Sequence, residues 1–400
     1  MIDRPGVPIQ ALLPFLDFTS QLRLFLVNVT FNRKVSEIGA PTAPIPTVKA
    51  GQSLMRQIKH IKLDATKWST SFTGTQIRSL SMLISLKLNF LHEKKKRGLE
   101  LSLSHLTNLT FLDIHGYRKS SFSLANLSNL ISLRMTHCAK ITDDAIRHLS
   151  SLSTLDIYQT SITGITLSSL TNLIFLRISS NRLSPFCQIS QLTKLETLVI
   201  YTPSGPILYP ITQGDTCPAF PIDSIISLFT KLKTLSLHTL ERKDEATDNG
   251  LSTLTNLTDL SLSQGENVSD KSISLLINLK YLNLQWCTKV TDKSISQLTS
   301  LLILRIRGGE HIRGNCFRSL VNLTELEFNV KRFPQREMKH LTNLKRLTIR
   351  ITGSFPINEM DYLTNLEQVM FHFVGGMENR EWNEYFKKRK IKFNLDLDYY

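Results

Sequence analysis

The absences in this 400-residue chain narrow its chemistry first. Cysteine occurs five times, at Cys138, Cys187, Cys217, Cys287 and Cys316. The set is odd and scattered, which argues against a disulfide framework and for reduced thiols. No apolar run approaches the length that crossing a bilayer demands. The opening Met1-Ile2-Asp3-Arg4-Pro5 shows no basic segment followed by a secretory apolar stretch. There is no Cys-x-x-Cys, His-Glu-x-x-His, Gly-x-Ser-x-Gly or Gly-x-x-x-x-Gly-Lys. No metal centre, cofactor or catalytic site is therefore expected. His137-Cys138 sets a base beside a nucleophile in sequence only, because neighbours at a strand end point apart and Cys138 belongs inside.

Acid is the scarcer charge, with 33 Asp and Glu against 48 Lys and Arg and a net charge of +15. The densest basic runs are Lys94-Lys95-Lys96-Arg97 and Lys387-Lys388-Arg389-Lys390. No nucleic-acid motif and no basic stripe with interleaved aromatics accompanies them. They read as a solvated loop and a basic tail, with nuclear import as the alternative. The expected compartment is the cytoplasm, or the nucleus if those runs act as import signals.

What the chain does have is a repeat. Thirteen segments carry an apolar residue, two of any kind, then apolar-x-apolar, from Leu83-x-x-Leu86-x-Leu88 to Leu366-x-x-Val369-x-Phe371. Most middle anchors stand 21 or 22 residues apart, from Leu86 to Val369. That period suits one strand and a return segment per copy. Alternation puts Leu155 and Ile157 on one face and Asp156 on the other. No copy can bury its apolar face alone, so stacking is expected to build one parallel sheet. Before many strands stands Leu-Thr-Asn-Leu, as at Leu106–Leu109, Leu170–Leu173 and Leu254–Leu257, which fits a turn of helix entering the strand. Thr142-Asp143, Ser269-Asp270 and Thr291-Asp292 are expected helix starts, since hydroxyl and acid satisfy free N–H groups there. Asn108, Asn256 and Asn322 form glycosylation triplets only as by-products of that phrase.

The pattern resembles the leucine-rich-repeat family over residues 56 to 398. The stretches Leu133–Asp143 and Leu282–Asp292 are similar to its cysteine-containing subclass, which is typical of F-box proteins. The resemblance implies an α/β solenoid, with a curved parallel sheet on the concave side and short helices and turns on the convex side. The expected domain runs from 56 to 400, behind a proline-rich linker at 41–55. Ile58-x-x-Ile61-x-Leu63 reads as an imperfect first copy, and Phe393-x-Leu395-x-Leu397 as a closing strand.

Residues 1–40 break the period. Thr19 or Ser20 fits a helix cap, with Leu24, Val27, Phe31 and Val35 on one helical face; Leu22, Leu24 and Leu26 also alternate as in a strand. Pro5, Leu12, Phe15-Leu16, Leu22, Val27-Asn28, Phe31 and Arg33 give this segment a resemblance to an F-box, with Phe31 where tryptophan is usual. The alternative is a plain helical cap over the first repeat. The F-box resemblance implies a substrate receptor of a cullin-type (SCF) ubiquitin ligase, docking on a Skp-type adaptor and holding a protein substrate on its repeats. Leu12, Leu16, Leu22, Val27 and Phe31 would then be adaptor-binding or core residues. The other reading is a repeat scaffold without a ubiquitin role.

Outward strand positions are the expected partner face: Phe111, Asp113, His115, Arg134, Asp156, Tyr158, Phe175, Arg177, Tyr201, His238, Tyr281, Gln285, Arg305, Arg307, Glu325, Arg346 and Arg350. Tyr, Phe and Arg are frequent interface anchors. An insertion over 202–228, rich in proline and glycine, reads equally as a functional loop or a tolerated bulge.

Overall fold

A computed structural model describes residues 60–64, 81–90, 103–118, 122–179, 189–201, 222–238, 246–309, 311–329, 337–351, 357–373 and 380–397. The F-box-like segment 1–40, the linker 41–55, the run Lys94–Arg97 and residues 202–221 of the insertion lie outside them. The chain forms two compact units, Met1–Lys194 and Leu195–Tyr400. Their boundary falls within the stretch expected to be a single repeat domain.

The first unit holds six strands: β1 (His60–Asp64), β2 (Ser85–Asn89), β3 (Phe111–His115), β4 (Ser132–Thr136), β5 (Thr154–Tyr158) and β6 (Phe175–Ser179). Each pairs in parallel with the next. The second unit holds nine: β7 (Thr197–Tyr201), β8 (Thr234–His238), β9 (Asp259–Ser263), β10 (Tyr281–Gln285), β11 (Ile303–Arg307), β12 (Glu325–Asn329), β13 (Arg346–Ile351), β14 (Gln368–Phe373) and β15 (Lys392–Leu397). These also pair in parallel and in chain order. β1 and β15 confirm the first copy and the closing strand read from the sequence.

Register follows the anchors. Leu86, Leu112, Leu133, Leu155 and Leu176 form one row, and all five are fully buried. Leu235, Leu260, Leu282 and Leu304 do the same in the second unit. A slip of one residue would turn every such row outward, so burial of one face fixes the pairing.

The Leu-x-x-Leu phrase makes tight three-residue turns. Leu106 N–H donates to Leu103 O at 2.9 Å, and Leu109 N–H to Leu106 O at 3.0 Å. Such turns bring residues three apart onto one side, so Leu103, Leu106 and Leu109 all enter the core. The asparagine has its own task. Asn108 Nδ2 donates to Ser81 O at 3.0 Å, Asn256 to Thr230 O at 2.8 Å and Asn322 to Thr299 O at 3.1 Å. Each amide bonds a carbonyl of the rung before it, so the phrase is a structural tie.

Short helices follow the expected hydroxyl–acid pairs at Asp270–Ile273 and Asp292–Ile295, and a further one forms at Asp248–Leu251. Ser269, Thr291 and Thr247 cap them through their side chains. At Asp143–Ala145 only a 3-10 turn forms, without a side-chain cap from Thr142. The aspartates do not serve their own helix alone. The Asp270 carboxylate accepts from Thr291 N and Oγ1 at 2.8 and 2.7 Å and from Ser294 Oγ at 2.5 Å. Asp248 does the same toward Ser269 and Ser272, and Asp292 accepts three backbone N–H groups from Arg313, Gly314 and Cys316. Each carboxylate thus fastens its rung to the next.

The basic run at Lys387–Lys390 is not the tail the sequence suggested. It ends a helix, Arg380–Lys388. Trp382 and Phe386 of this helix are buried against Phe371, and Phe386 stacks on Phe393 at 4.8 Å. Arg389 donates to Met360 O and Leu363 O, tying the helix end to the preceding repeat. Cationic residues at a helix C-terminus also suit its dipole.

Cys138, Cys287 and Cys316 are buried, and none of the three is in a disulfide. Among the described residues no helix is long and apolar enough to cross a membrane.

Candidate protein-binding faces

All seventeen residues expected on the partner face occupy outward strand positions, eight in the first unit and nine in the second. Five-residue strands with two inward anchors leave three outward rows per sheet.

In the first unit the middle row from β2 onward reads Lys87, Asp113, Arg134, Asp156, Arg177 across adjacent strands. From Lys87 charge alternates at every step. Asp156 Oδ2 accepts from Arg134 Nε at 2.9 Å and from Arg177 Nη1 at 3.2 Å. Asp156 differs from the expectation of a contact residue, because its side chain is only 2% exposed. It holds two arginines in place instead. Burial raises the pKa of Asp113 above its ordinary value, against the opposing pull of Arg134, Lys87 and His115. Phe111 and Phe175 fill the row before, beneath Lys87 and Arg177 respectively. In the row after, His115 bonds Thr136 Oγ1, and the His137 ring sits edge-on to both His115 and Tyr158. Burial lowers the His137 pKa, so this aromatic group favours the neutral imidazole.

In the second unit Tyr201 stacks on His238 at 4.8 Å, and burial lowers the His238 pKa. Tyr281 lies under Arg305. Glu325 accepts from Arg305 Nη2 and Arg346 Nη2, each at 2.5 Å, and Arg307 pairs with Glu327 at 2.5 Å. Burial alone would raise the Glu325 pKa, but the hydrogen bonds from Arg305 and Arg346 hold it below its ordinary value. Gln285, the last residue of β10, and Arg350, the last but one of β13, complete the expected set.

One position escaped the sequence reading. Gly116, His137, Gln159, Gln264, Trp286 and Gly308 each follow the last residue of a strand, and each has positive φ. The twisted backbone lets the ladder run one bond further: His137 N–H donates to Tyr158 O and Trp286 N–H to Arg307 O, both at 2.8 Å. Trp286 is 59% exposed. The signal lay in His137-Cys138 and Trp286-Cys287, where a large residue precedes the buried cysteine of equivalent copies.

No protein-family model matches the chain, and no curated protein does. Solved structures do. A leucine-rich-repeat protein of Leptospira interrogans aligns with a TM-score of 0.53 at 18% identity, over 88% of this chain and 100% of that one. An internalin of Listeria monocytogenes aligns with a TM-score of 0.51 at 19% identity, over 92% of this chain and 93% of that one. The chain has the leucine-rich-repeat fold. Its repeats consume the aliphatic rows in the core and leave the tyrosines, histidines and arginines of the outward rows on the sheet faces. Among the described residues no group of three or more His, Cys, Asp or Glu side chains is arranged to hold a metal ion.

Proposed function

We propose that the chain is a non-catalytic protein-interaction module whose open sheet faces bind a polypeptide partner. One observation carries this reading. The outward rows concentrate Tyr158, Tyr201, Tyr281, Arg134, Arg305 and Arg307 on preorganised ladders, and such residues anchor protein interfaces. Cross-strand ion pairs and ring contacts hold many of these side chains in position, which lowers the entropy lost on docking. The test is capture by the full chain beside two face variants, Tyr158→Ala with Arg134→Glu and Tyr281→Ala with Arg305→Glu. A partner held by the wild type and released by at least one variant supports the reading. Equal capture by both variants removes it.

A second reading keeps this module and adds a ligase role. It is favoured by the F-box resemblance of Leu12, Leu16, Leu22, Val27 and Phe31 ahead of leucine-rich repeats. The chain would then hold a substrate on its repeats while a Skp-type adaptor and a cullin scaffold supply ubiquitin transfer. Direct binding to a purified Skp-type adaptor, lost in Leu16→Asp with Phe31→Asp, is its expected result. A chain that ignores the adaptor retires it.

A further inference from the structure

We infer that the second unit's face over β10–β13 receives an extended acidic segment of a partner polypeptide, with an apolar residue of that segment laid on Trp286. This rests on the interaction-module reading and adds the partner's chemistry.

Trp286 is the first reason. Its backbone lies at φ 58, a region that costs an L-residue roughly 1–2 kcal/mol. Glycine fills the same position at Gly116 and Gly308, so the fold does not require a tryptophan there. The indole nevertheless stands 59% exposed. It lies against Gly308, in the space that a side chain at residue 308 would take. A solvent-facing indole on a strained backbone has the character of an interface anchor.

Charge is the second reason. The outward positions of β7–β9 carry one carboxylate, Asp259, and no Lys or Arg. β11 and β13 carry Arg305, Arg307, Arg346 and Arg350, and β12 between them carries Glu325 and Glu327. Four cations against two anions leave an excess of two positive charges. Arg307 and Arg346 are each 53% exposed even while paired. Trp286 and Arg307 adjoin: the Trp286 N–H donates to Arg307 O, and the indole covers the next residue, Gly308. An apolar platform and a guanidinium therefore meet at one edge. Carboxylates spaced along an extended chain suit this mixed face, since planar guanidinium favours them. A nucleic-acid strand of unbroken negative charge suits it less, because Glu325 and Glu327 lie in its path.

The experiment selects phage-displayed random dodecapeptides on the full chain, then measures affinities of the winners. Net-acidic winners with an apolar residue are expected. Their affinity should fall about thirtyfold in Trp286→Ala, the scale of a hot-spot residue, and also fall in Arg307→Glu with Arg350→Glu. Trp286→His copies the residue at the equivalent His137 position and serves if the alanine variant does not fold. Winners without acidic bias that bind the first unit's face, and are lost in Tyr158→Ala with Arg134→Glu, would overturn this inference and leave the module reading standing. Acidic winners that bind every variant equally, or a single-stranded oligonucleotide bound more tightly than any peptide, would also overturn it. An empty selection on both faces would remove both.

Discussion

The indole of Trp286 rests on the backbone of Gly308, where a β-carbon would stand 2.8 Å from Cζ3 of the ring. Gly308 also has φ +69. Gly308→Ala therefore meets two penalties, a left-handed backbone worth roughly 1–2 kcal/mol and a displaced ring. A lower unfolding midpoint and a changed tryptophan emission spectrum are expected. In Trp286→Ala the same glycine substitution should cost less, since only the backbone penalty remains. Equal costs in both backgrounds would show that the ring does not sit on residue 308.

The same backbone position offers a gain elsewhere. Gln264 has φ 61. Gln264→Gly removes the left-handed strain, while glycine's extra unfolded entropy offsets part of that. A net stabilisation of about 0.5–1 kcal/mol is expected from the difference between those effects. Denaturant unfolding measures it, and a loss of stability would contradict the strain argument.

Much of the fold was legible because it is written many times. Leu155 and Ile157 announce the inward face by alternation, and both are buried. The strand register, the outward rows and the capped helices after Ser269 and Thr291 follow from patterns repeated in phase. What escaped was chemistry without a period. The left-handed position after the strand takes Gly, His, Gln or Trp, so no single letter marks it. Asp156 reads as exposed by alternation, yet its neighbours Arg134 and Arg177 cover it. The closing helix around Trp382 and Phe386 occurs once, and its basic end masked its apolar face. The tie made by Asn108 has no local signal, because its partner, the Ser81 carbonyl, lies 27 residues away.

The aspartate ties make the second unit sensitive to acid. Burial would raise the Asp270 pKa, but the hydrogen bonds from Ser294 and Thr291 outweigh it and set the carboxyl below its ordinary 3.8. Asp248 behaves alike through Ser269 and Ser272. A depressed folded pKa contributes stability that is fully present above the unfolded value and drains away as pH falls through the folded one. Asp270→Asn should cost about 1–3 kcal/mol at pH 7, the scale of hydrogen bonds to a charged group. The gap between variant and wild type should close below pH 3.8. A gap that persists unchanged at pH 2.5 would mean the carboxylate's charge plays no part.

The asparagine ties predict a different pattern. Asn278 Nδ2 donates to Thr255 O at 2.9 Å. Asn278→Ala should cost about 0.5–1.5 kcal/mol, with little dependence on pH between 4 and 8. Asn278→Asp sets a carboxylate against a carbonyl and should cost more at pH 7 than the alanine change. That excess should vanish once acid protonates the new carboxyl and restores a donor. Thermal midpoints of the two variants across pH decide the matter.

Two carboxylates of one row should respond in opposite directions. Asp156 is buried and bonded to Arg134 and Arg177, so Asp156→Ala strands two guanidiniums side by side. The arginines are 51% and 36% exposed, and water will relieve part of the loss. A cost of about 1–3 kcal/mol is expected, below the range for a fully buried pair. Asp113 stands two strands away in the same row, and burial sets its folded pKa above the ordinary 3.8. A raised folded pKa means stability that is full below the unfolded value and lost as pH rises through the folded one. Asp113→Asn removes that loss, so at pH 7 it should leave the protein as stable or more so, with the advantage fading below pH 3.8. Unfolding of both variants at pH 7 and pH 3 separates the two cases. If Asp113→Asn proves as damaging as Asp156→Ala at neutral pH, then Arg134, Lys87 and His115 outweigh burial, and the row stands on its charges alone.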